Sequence, residues 1–233
     1  MTQPNGYILW EGFSPLDGKP LVLIATGFAN PSANPKTGHM IQTWILRRDV
    51  DPWDAFRTED GYSNCGNCTH RLNRTCYVNW WQAPKSIWQA YRRGSYAPIP
   101  DWSLFTDHKV RCGSAGDPAM VPVHIWHAAL EHAAAHTGFT HQWREPFALP
   151  FRGLIQASCD GFQDYLDATA HGWKTFLVKP ADAPSPAGTV HCAASKERGA
   201  KTNCATCTLC DGGSANVVIN AHGSSHRRVA LVN

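Results

Sequence analysis

The chain has 233 residues and a formal net charge of +3, enough for one sizeable core or at most two small domains. So mild a charge carries no electrostatic signature of a nucleic-acid or membrane-surface partner, and no apolar run approaches the ~20 residues needed to cross a bilayer. Nine cysteines follow an N-terminus, MTQPNGYILWEG, that lacks a basic region, an apolar run and a small-residue cleavage site. This predicts a soluble, cytoplasmic protein whose reduced cysteines bind metal in preference to forming disulfides.

Leu21 to Thr26 (LVLIAT) is a short apolar run expected as a strand, and it leads into a loop rich in Gly, Asn and Pro that contains NPKTG. Met40 to Leu46 (MIQTWIL) is apolar again, and Asp51-Pro52 stands in the order of a helix cap and first turn. Ser63 to Asn79 follows, SNCGNCTHRLNRTCYVN, a polar, turn-rich stretch with Cys65, Cys68 and Cys76 and no apolar periodicity to explain them. Three thiolates from one loop suit three corners of a zinc tetrahedron or three irons of a cubane cluster. After this loop, PKSIWQAYRR starts with Pro84 and is followed by Gly94, the pattern of a short helix.

From His108 onward strands and helices alternate. HKVRCGSAG reads as a strand, and DPAMVPVHIWHAALEHAAAH as a helix of about five turns opened by Asp117-Pro118. TGFTHQW and GLIQASCD read as strands. GFQDYLDATAHG reads as a helix with Phe162, Leu166 and Ala170 on one stripe, and WKTFLVK and NVVINAHG as strands. Counted from MIQTWIL, six strands separated by helices or long loops predict an α/β fold with a parallel sheet or partial barrel. Ligands collect at the carboxyl ends of such strands. Here those ends carry Gly116-Asp117, His141, Ser158 and Asp160, Lys179 and His222.

A second cysteine set, Cys192 with Cys204, Cys207 and Cys210 in CATCTLC, is sufficient to close a metal site alone. Cys112 and Cys159 lie inside strands and read as small core residues. Trp80, Trp81 and Trp88, near Lys85, Arg92 and Arg93, either stack nucleic-acid bases or pack an amphipathic helix, and packing is the simpler account. His141 and His222 are candidates for substrate binding or proton transfer, and each also suits an ordinary core histidine.

The order of elements from Asn34 to Gly223 resembles the radical S-adenosylmethionine enzymes. That family folds as a partial (β/α)6 TIM-like barrel with a three-cysteine loop after its first strand. NPKTG, with the later CxxC and CY, is similar to small phage-encoded radical-SAM-like proteins. The spacing here, C-x2-C-x7-C, departs from the usual C-x3-C-x2-C. The resemblance implies a [4Fe-4S] cluster on Cys65, Cys68 and Cys76, with S-adenosylmethionine on its open iron. Ala115-Gly116-Asp117-Pro118 resembles the family's GGEP-like segment. Gly116 would permit close backbone approach, and Asp117 would cap the following helix or hold the methionine amine. Ser158 and Asp160 would contact the ribose, and Tyr77 would pack on the adenine or form a core wall. Cys192, Cys204, Cys207 and Cys210 would hold an auxiliary [4Fe-4S] cluster or zinc.

The implied domains are an extension over 1–33, a core over 34–191, a Cys-rich insertion over 192–213, and a last strand and tail over 214–233. The implied activity is cleavage of S-adenosylmethionine to a 5'-deoxyadenosyl radical for a rearrangement, isomerisation or C–H functionalisation. Its partners would be an electron donor such as a flavodoxin or ferredoxin and, from the phage-like resemblance, DNA with modified bases in the cytoplasm of a bacterial host. The competing expectation is a zinc-binding nucleic-acid-interacting protein, with His70 as fourth ligand beside the first three cysteines.

Overall fold

In the computed structural model, which describes residues 3–195, 197, 199 and 202–221, the chain opens with a hairpin. Its strands are β1 (Gly6–Phe13) and β2 (Pro20–Thr26), and β2 is the apolar run expected at Leu21 to Thr26. β1 alternates buried and exposed positions only weakly, so periodicity does not announce it, and its backbone partners come from β2. The hairpin extends antiparallel onto β3 (Ile41–Arg47). Residues 1–33, expected as an extension, therefore contribute two strands to the same sheet.

Asp51 caps α1 (Pro52–Arg57) by accepting the Trp53 N–H at 2.8 Å, with Pro52 in the first turn where its missing donor costs nothing. The cysteine loop contains two single-turn helices, α2 (Tyr62–Cys65) and α3 (Thr69–Leu72). The expected short helix follows as α4 (Ala83–Arg92), and β4 (Ala97–Pro98) then adds a two-residue edge to β1.

The second half alternates as expected: β5 (Lys109–Ala115), α5 (Val123–Leu130), β6 (Ala135–Thr140), β7 (Gln156–Cys159), α6 (Phe162–Ala170) and β8 (Thr175–Lys179). β9 (Thr189–His191), α7 (Cys204–Cys207) and β10 (Asn216–Asn220) complete it. The sheet order is β4-β1-β2-β3-β5-β6-β7-β8-β10-β9, and every pairing from β3 to β9 is parallel. The expected strands β3, β5, β6, β7, β8 and β10 thus lie side by side in chain order. The ten-stranded sheet is open, with β4 and β9 at its edges, and it does not close into a barrel.

Three expectations are corrected. The five-turn helix from Asp117 is a short 3-10 turn, Pro118–Met120, followed by only eight residues of α5. Pro122 has no N–H to continue the first turn and keeps Val121 extended, at φ −111° and ψ 138°. The Ala-rich end of that segment belongs to β6, where Ala135 pairs with Lys109. β6 itself ends at Thr140, so His141 stands just beyond the strand. On α6, Phe162, Leu166 and Ala170 face solvent, while Tyr165 and Ala168 are buried. Hydropathy points to the wrong side of this helix, because two bulky exposed residues outweigh one alanine.

One face of the sheet meets the helices. Val110, Cys112, Ala157, Cys159, Leu177 and Val218 pack there against Trp126 and Ala129 of α5 and Tyr165 and Ala168 of α6. Burying side chains of this size contributes about 1.5–3 kcal/mol each. Cys112 and Cys159 are core residues as expected, and burial pushes the Cys112 thiol up to about 12. Alternation in the strands turns Arg111, Phe139, Ser158 and Phe176 to the opposite face. Trp80 and Trp88 pack against that face of β2 and β3. Trp80 stacks on Phe56, and Arg92 lies over Trp88. Packing, rather than base stacking, accounts for these two indoles, while Trp81 is exposed.

Candidate metal centre

The cysteine loop is held over the carboxyl ends of the central strands by buried amides. Asn64 donates its side-chain amide to the Ile45 carbonyl in β3 at 3.0 Å, and its own carbonyl accepts the Asp117 N–H beyond β5 at 2.8 Å. Gln142, just past β6, donates to the Cys65 carbonyl at 3.1 Å, and Arg71 donates to the Gly66 carbonyl at 3.1 Å. Arg47 at the end of β3 reaches Ser63 at 3.0 Å, and Ser63 donates to Asp17 in the β1–β2 turn at 2.8 Å. A polar segment without apolar periodicity is thereby fixed largely by hydrogen bonds, with Cys65, Cys76 and Val78 packing against the second apolar cluster.

All nine cysteines are free thiols. Burial, then the neighbouring sulfurs of Cys68 and Cys76, drive the Cys65 thiol well above its ordinary range. Burial raises the Cys76 thiol, partly opposed by the nearby Val78 N–H and Trp80 indole. The Trp80 Nε1–H is buried and has no hydrogen-bond partner among the described residues. A buried donor of this kind would favour a thiolate beside it, against the burial that favours the thiol.

Beside these sulfurs lies a constellation that motif spacing does not reveal. Asp160, just past β7, faces His70 Nε2 at 3.1 Å and His141 Nε2 at 3.3 Å. The two imidazoles meet edge to face at 5.7 Å. His70 is also engaged through Nδ1, with the Thr75 hydroxyl at 2.8 Å. Burial opposes charge on His141, yet the Cys68 sulfur and the Asp160 carboxylate raise its pKa well above the usual imidazole range. Burial likewise opposes charge on Asp160, and the two imidazoles hold its carboxyl far below the ordinary range. Among the described residues, His70, His141 and Asp160 are the set of three whose ligand atoms all lie within 4.8 Å of one another. Two imidazoles and a carboxylate suit a divalent ion, but here they satisfy one another directly.

The expected cofactor-binding residues lie at the carboxyl ends of β5 and β7, where Asp117 and Asp160 both contact His141, and just after Cys76. Gly116 has φ +80°, and a Cβ there would lie 2.4 Å from the Ile45 carbonyl, so glycine is required for packing on β3. Asp117 is a cap: one carboxylate oxygen accepts the Ala119 N–H at 3.0 Å and the other the His141 N–H at 2.8 Å. Burial raises its pKa despite these donors. Each oxygen thus already accepts one backbone N–H. Ser158 is buried in β7 on the face opposite the helices, and its carbonyl accepts the Trp143 indole at 3.0 Å. Tyr77 is exposed and its hydroxyl accepts from Arg111 at 3.2 Å. Lys179 serves a turn, donating to Pro180 and Ala183 carbonyls at 3.0 and 2.6 Å. His222 lies outside the described residues.

The second cysteine set is assembled by different elements. Cys192 follows β9 and donates its N–H to Val218 in β10 at 2.8 Å, while Cys204 and Cys207 bound α7, capped by Asn203. The Cys210 carbonyl accepts the Gly138 N–H of β6 at 3.0 Å, and Lys109 at the start of β5 donates to Ala205 at 2.6 Å. Burial raises Cys192 and Cys210, and each feels the sulfurs of Cys204 and Cys207. NPKTG supports this set: the Lys36 and Thr37 carbonyls accept the Cys204 and Ala205 N–H groups at 2.8 and 3.1 Å.

No protein-family model, no curated protein and no solved structure matches this chain. His70 and Asp160 are legible in the sequence as a loop histidine and a strand-end acid. Their pairing is not, because only the sheet order brings them together.

Proposed function

We propose that the chain is a radical S-adenosylmethionine-type iron–sulfur enzyme, catalysing a rearrangement, isomerisation or C–H functionalisation. One observation carries the reading: three cysteines on the connection after β3 are clamped over the carboxyl ends of parallel strands that run in chain order. That order is the order of a partial (β/α)6 barrel, and the clamped edge is where such sheets bind ligands. Three thiolates in one loop without a fourth cysteine suit a cubane with one open iron, and the four of the second set suit a closed cluster. The competing zinc site has less support, since both nitrogens of His70 are already engaged.

Cys65, Cys68 and Cys76 would hold the catalytic cluster and Cys192, Cys204, Cys207 and Cys210 an auxiliary one. When bound, the first supplies one-electron reduction of the S-adenosylmethionine sulfonium, with a flavodoxin or ferredoxin as donor. The chain's own residues prepare the site. Val78 and Trp80 bring N–H groups near the Cys76 sulfur, His141 lies near Cys68, and Asp160 holds His141 and His70. A modified base of phage DNA is the substrate the resemblance implies.

The test is anaerobic purification with iron, sulfide and zinc analysis, followed by EPR of the reduced protein with and without S-adenosylmethionine. Four irons per cluster and a spectrum altered by the sulfonium are expected, both lost from the first site when Cys65, Cys68 and Cys76 are replaced by Ala. Zinc alone, after expression with ample iron, overturns the proposal in favour of a zinc-binding nucleic-acid protein.

A further inference from the structure

A cavity of about 440 Å³ opens between the β2–β3 loop, the segment after Cys76, and a floor built from β3 and β5. Its size is in the range of small-molecule sites, ~300–1,000 Å³. Amide side chains dominate the wall, among them Asn34, Gln42, Asn79 and Gln82, and Tyr77 and Trp44 add aromatic surface. Among the described residues, Arg111 is the one side chain of formal charge lining it, and no Asp, Glu or Lys does so.

Arg111 is unusual in itself. Only 8% of it is exposed, its guanidinium lies 4.5 Å from the centre of the Phe139 ring, and it donates to the Tyr77 hydroxyl at 3.2 Å. Among the described residues no carboxylate is paired with it; the acidic groups it feels are the Tyr77 phenol and the thiols of Cys204, Cys210 and Cys112. A buried cation with no carboxylate beside it is costly to desolvate, and that cost is offset where an anionic ligand is received. The guanidinium fork has five donors and matches carboxylate and phosphate oxygens in pairs.

We propose that this cavity is a binding site for a small polar molecule carrying a carboxylate or phosphate, seated on Arg111 and surrounded by neutral amides. The site stands whether or not the cysteine loop holds a cluster. Its wall repels no anion, and the amides offer both donors and acceptors to the remainder of the ligand. The open phenol ring of Tyr77, 72% exposed, supplies a flat apolar contact.

Thermal-shift and calorimetric titration of the anaerobically purified chain with inorganic phosphate, thymidine 5'-monophosphate and glutamate tests this and separates the two anion sources. At least one probe raises the melting temperature of the wild type. Arg111→Met weakens that probe about tenfold or more, as loss of a charge-assisted hydrogen bond requires. Asn79→Trp, at an exposed position on the wall, fills the cavity and also abolishes binding, which decides the matter should Arg111→Met fail to fold. The proposal is overturned if none of the probes binds, or if both variants bind them as the wild type does. It is equally overturned if Arg111→Met only strips metal from the second cysteine set, since Arg111 would then be the counter-charge of those thiolates.

Discussion

The backbone N–H of Asp117 donates to the carbonyl of Asn64 at 2.8 Å, joining the end of β5 to the turn that presents Cys65. Asn64 also reaches the Ile45 carbonyl, so the residue next to this cysteine is tied to two neighbouring strands at once. Sheet geometry thereby sets thiol geometry. A loop held only by its own turns would lose that relation, because conformational entropy of its many polar residues opposes any single arrangement.

Gly116→Ala tests the joint. An added Cβ meets the Ile45 carbonyl at 2.4 Å and the Ile45 Cβ at 2.7 Å, and the positive φ disfavours any side chain. Strain of this kind costs about 1–3 kcal/mol. The expected result is a lower urea midpoint with an unchanged m-value, and weaker metal retention by Cys65, Cys68 and Cys76 alone. Full retention at the first set alongside the stability loss would separate the joint from the metal site.

Trp80→Phe removes a buried N–H that has no hydrogen-bond partner among the described residues and lies near Cys76, where it can donate to a ligating sulfur. Stability should change by less than about 1 kcal/mol, since the ring packing is kept and no acceptor is orphaned in the core. A hydrogen bond to a ligating sulfur favours the more negative, reduced state of a cluster. Its loss therefore shifts the midpoint potential downward in an EPR-monitored redox titration of the loaded protein. An unshifted midpoint would show that the indole serves packing only.

Strands β3, β8 and β10 are legible in the sequence as short runs rich in β-branched and apolar residues, whereas β5, β6 and β7 are legible mainly from the punctuation around them. The cysteine sets are legible because closely spaced thiols in a polar stretch have no apolar periodicity to explain them, which is why metal binding is proposed for them. The boundary at Pro122 is also legible in principle: proline forbids the first intrahelical bond and keeps its predecessor extended. Alanine-rich sequence masks it. The partnership of His70, His141 and Asp160 is of another kind. It follows from the adjacency of β6 and β7 and from the loop laid across them, and no local pattern encodes it. The same holds for NPKTG, whose carbonyls hold Cys204 and Ala205, far away in the chain.

Arg47→Met carries a pH signature. Arg47 is buried and bidentate on Asp49 at 2.9 and 3.0 Å, and also donates to Ser63. The hydrogen bond from Arg47 is the main reason Asp49 titrates below its ordinary range, against the effect of its partial burial. A depressed carboxylate stabilises the fold above its unfolded pKa of about 3.9, and that contribution fades as pH falls through the lower folded value. Asp49 is half exposed, so solvent screens the pair. The stability gap between wild type and Arg47→Met should be constant near neutrality and narrow below about pH 4, as measured by urea unfolding at several pH values. A gap that stays constant into acid would assign the stabilisation to Ser63 instead.

Asp160→Asn probes the constellation beside Cys68. The carboxylate serves two imidazoles, at 3.1 and 3.3 Å, from within a nearly closed environment. An amide keeps the shape but presents one acceptor in place of two, so one imidazole loses its partner. Hydrogen bonds to charged groups contribute about 1.5–3 kcal/mol each, and the variant should be destabilised by a comparable amount. If His70 and His141 act as a unit through Asp160, adding His70→Gln to Asp160→Asn costs much less than His70→Gln costs alone, because the partner is already gone. Additive losses in that cycle would mean that the two histidines are held independently, and that Asp160 is only one anchor among several for the loop that carries Cys68 and Cys76.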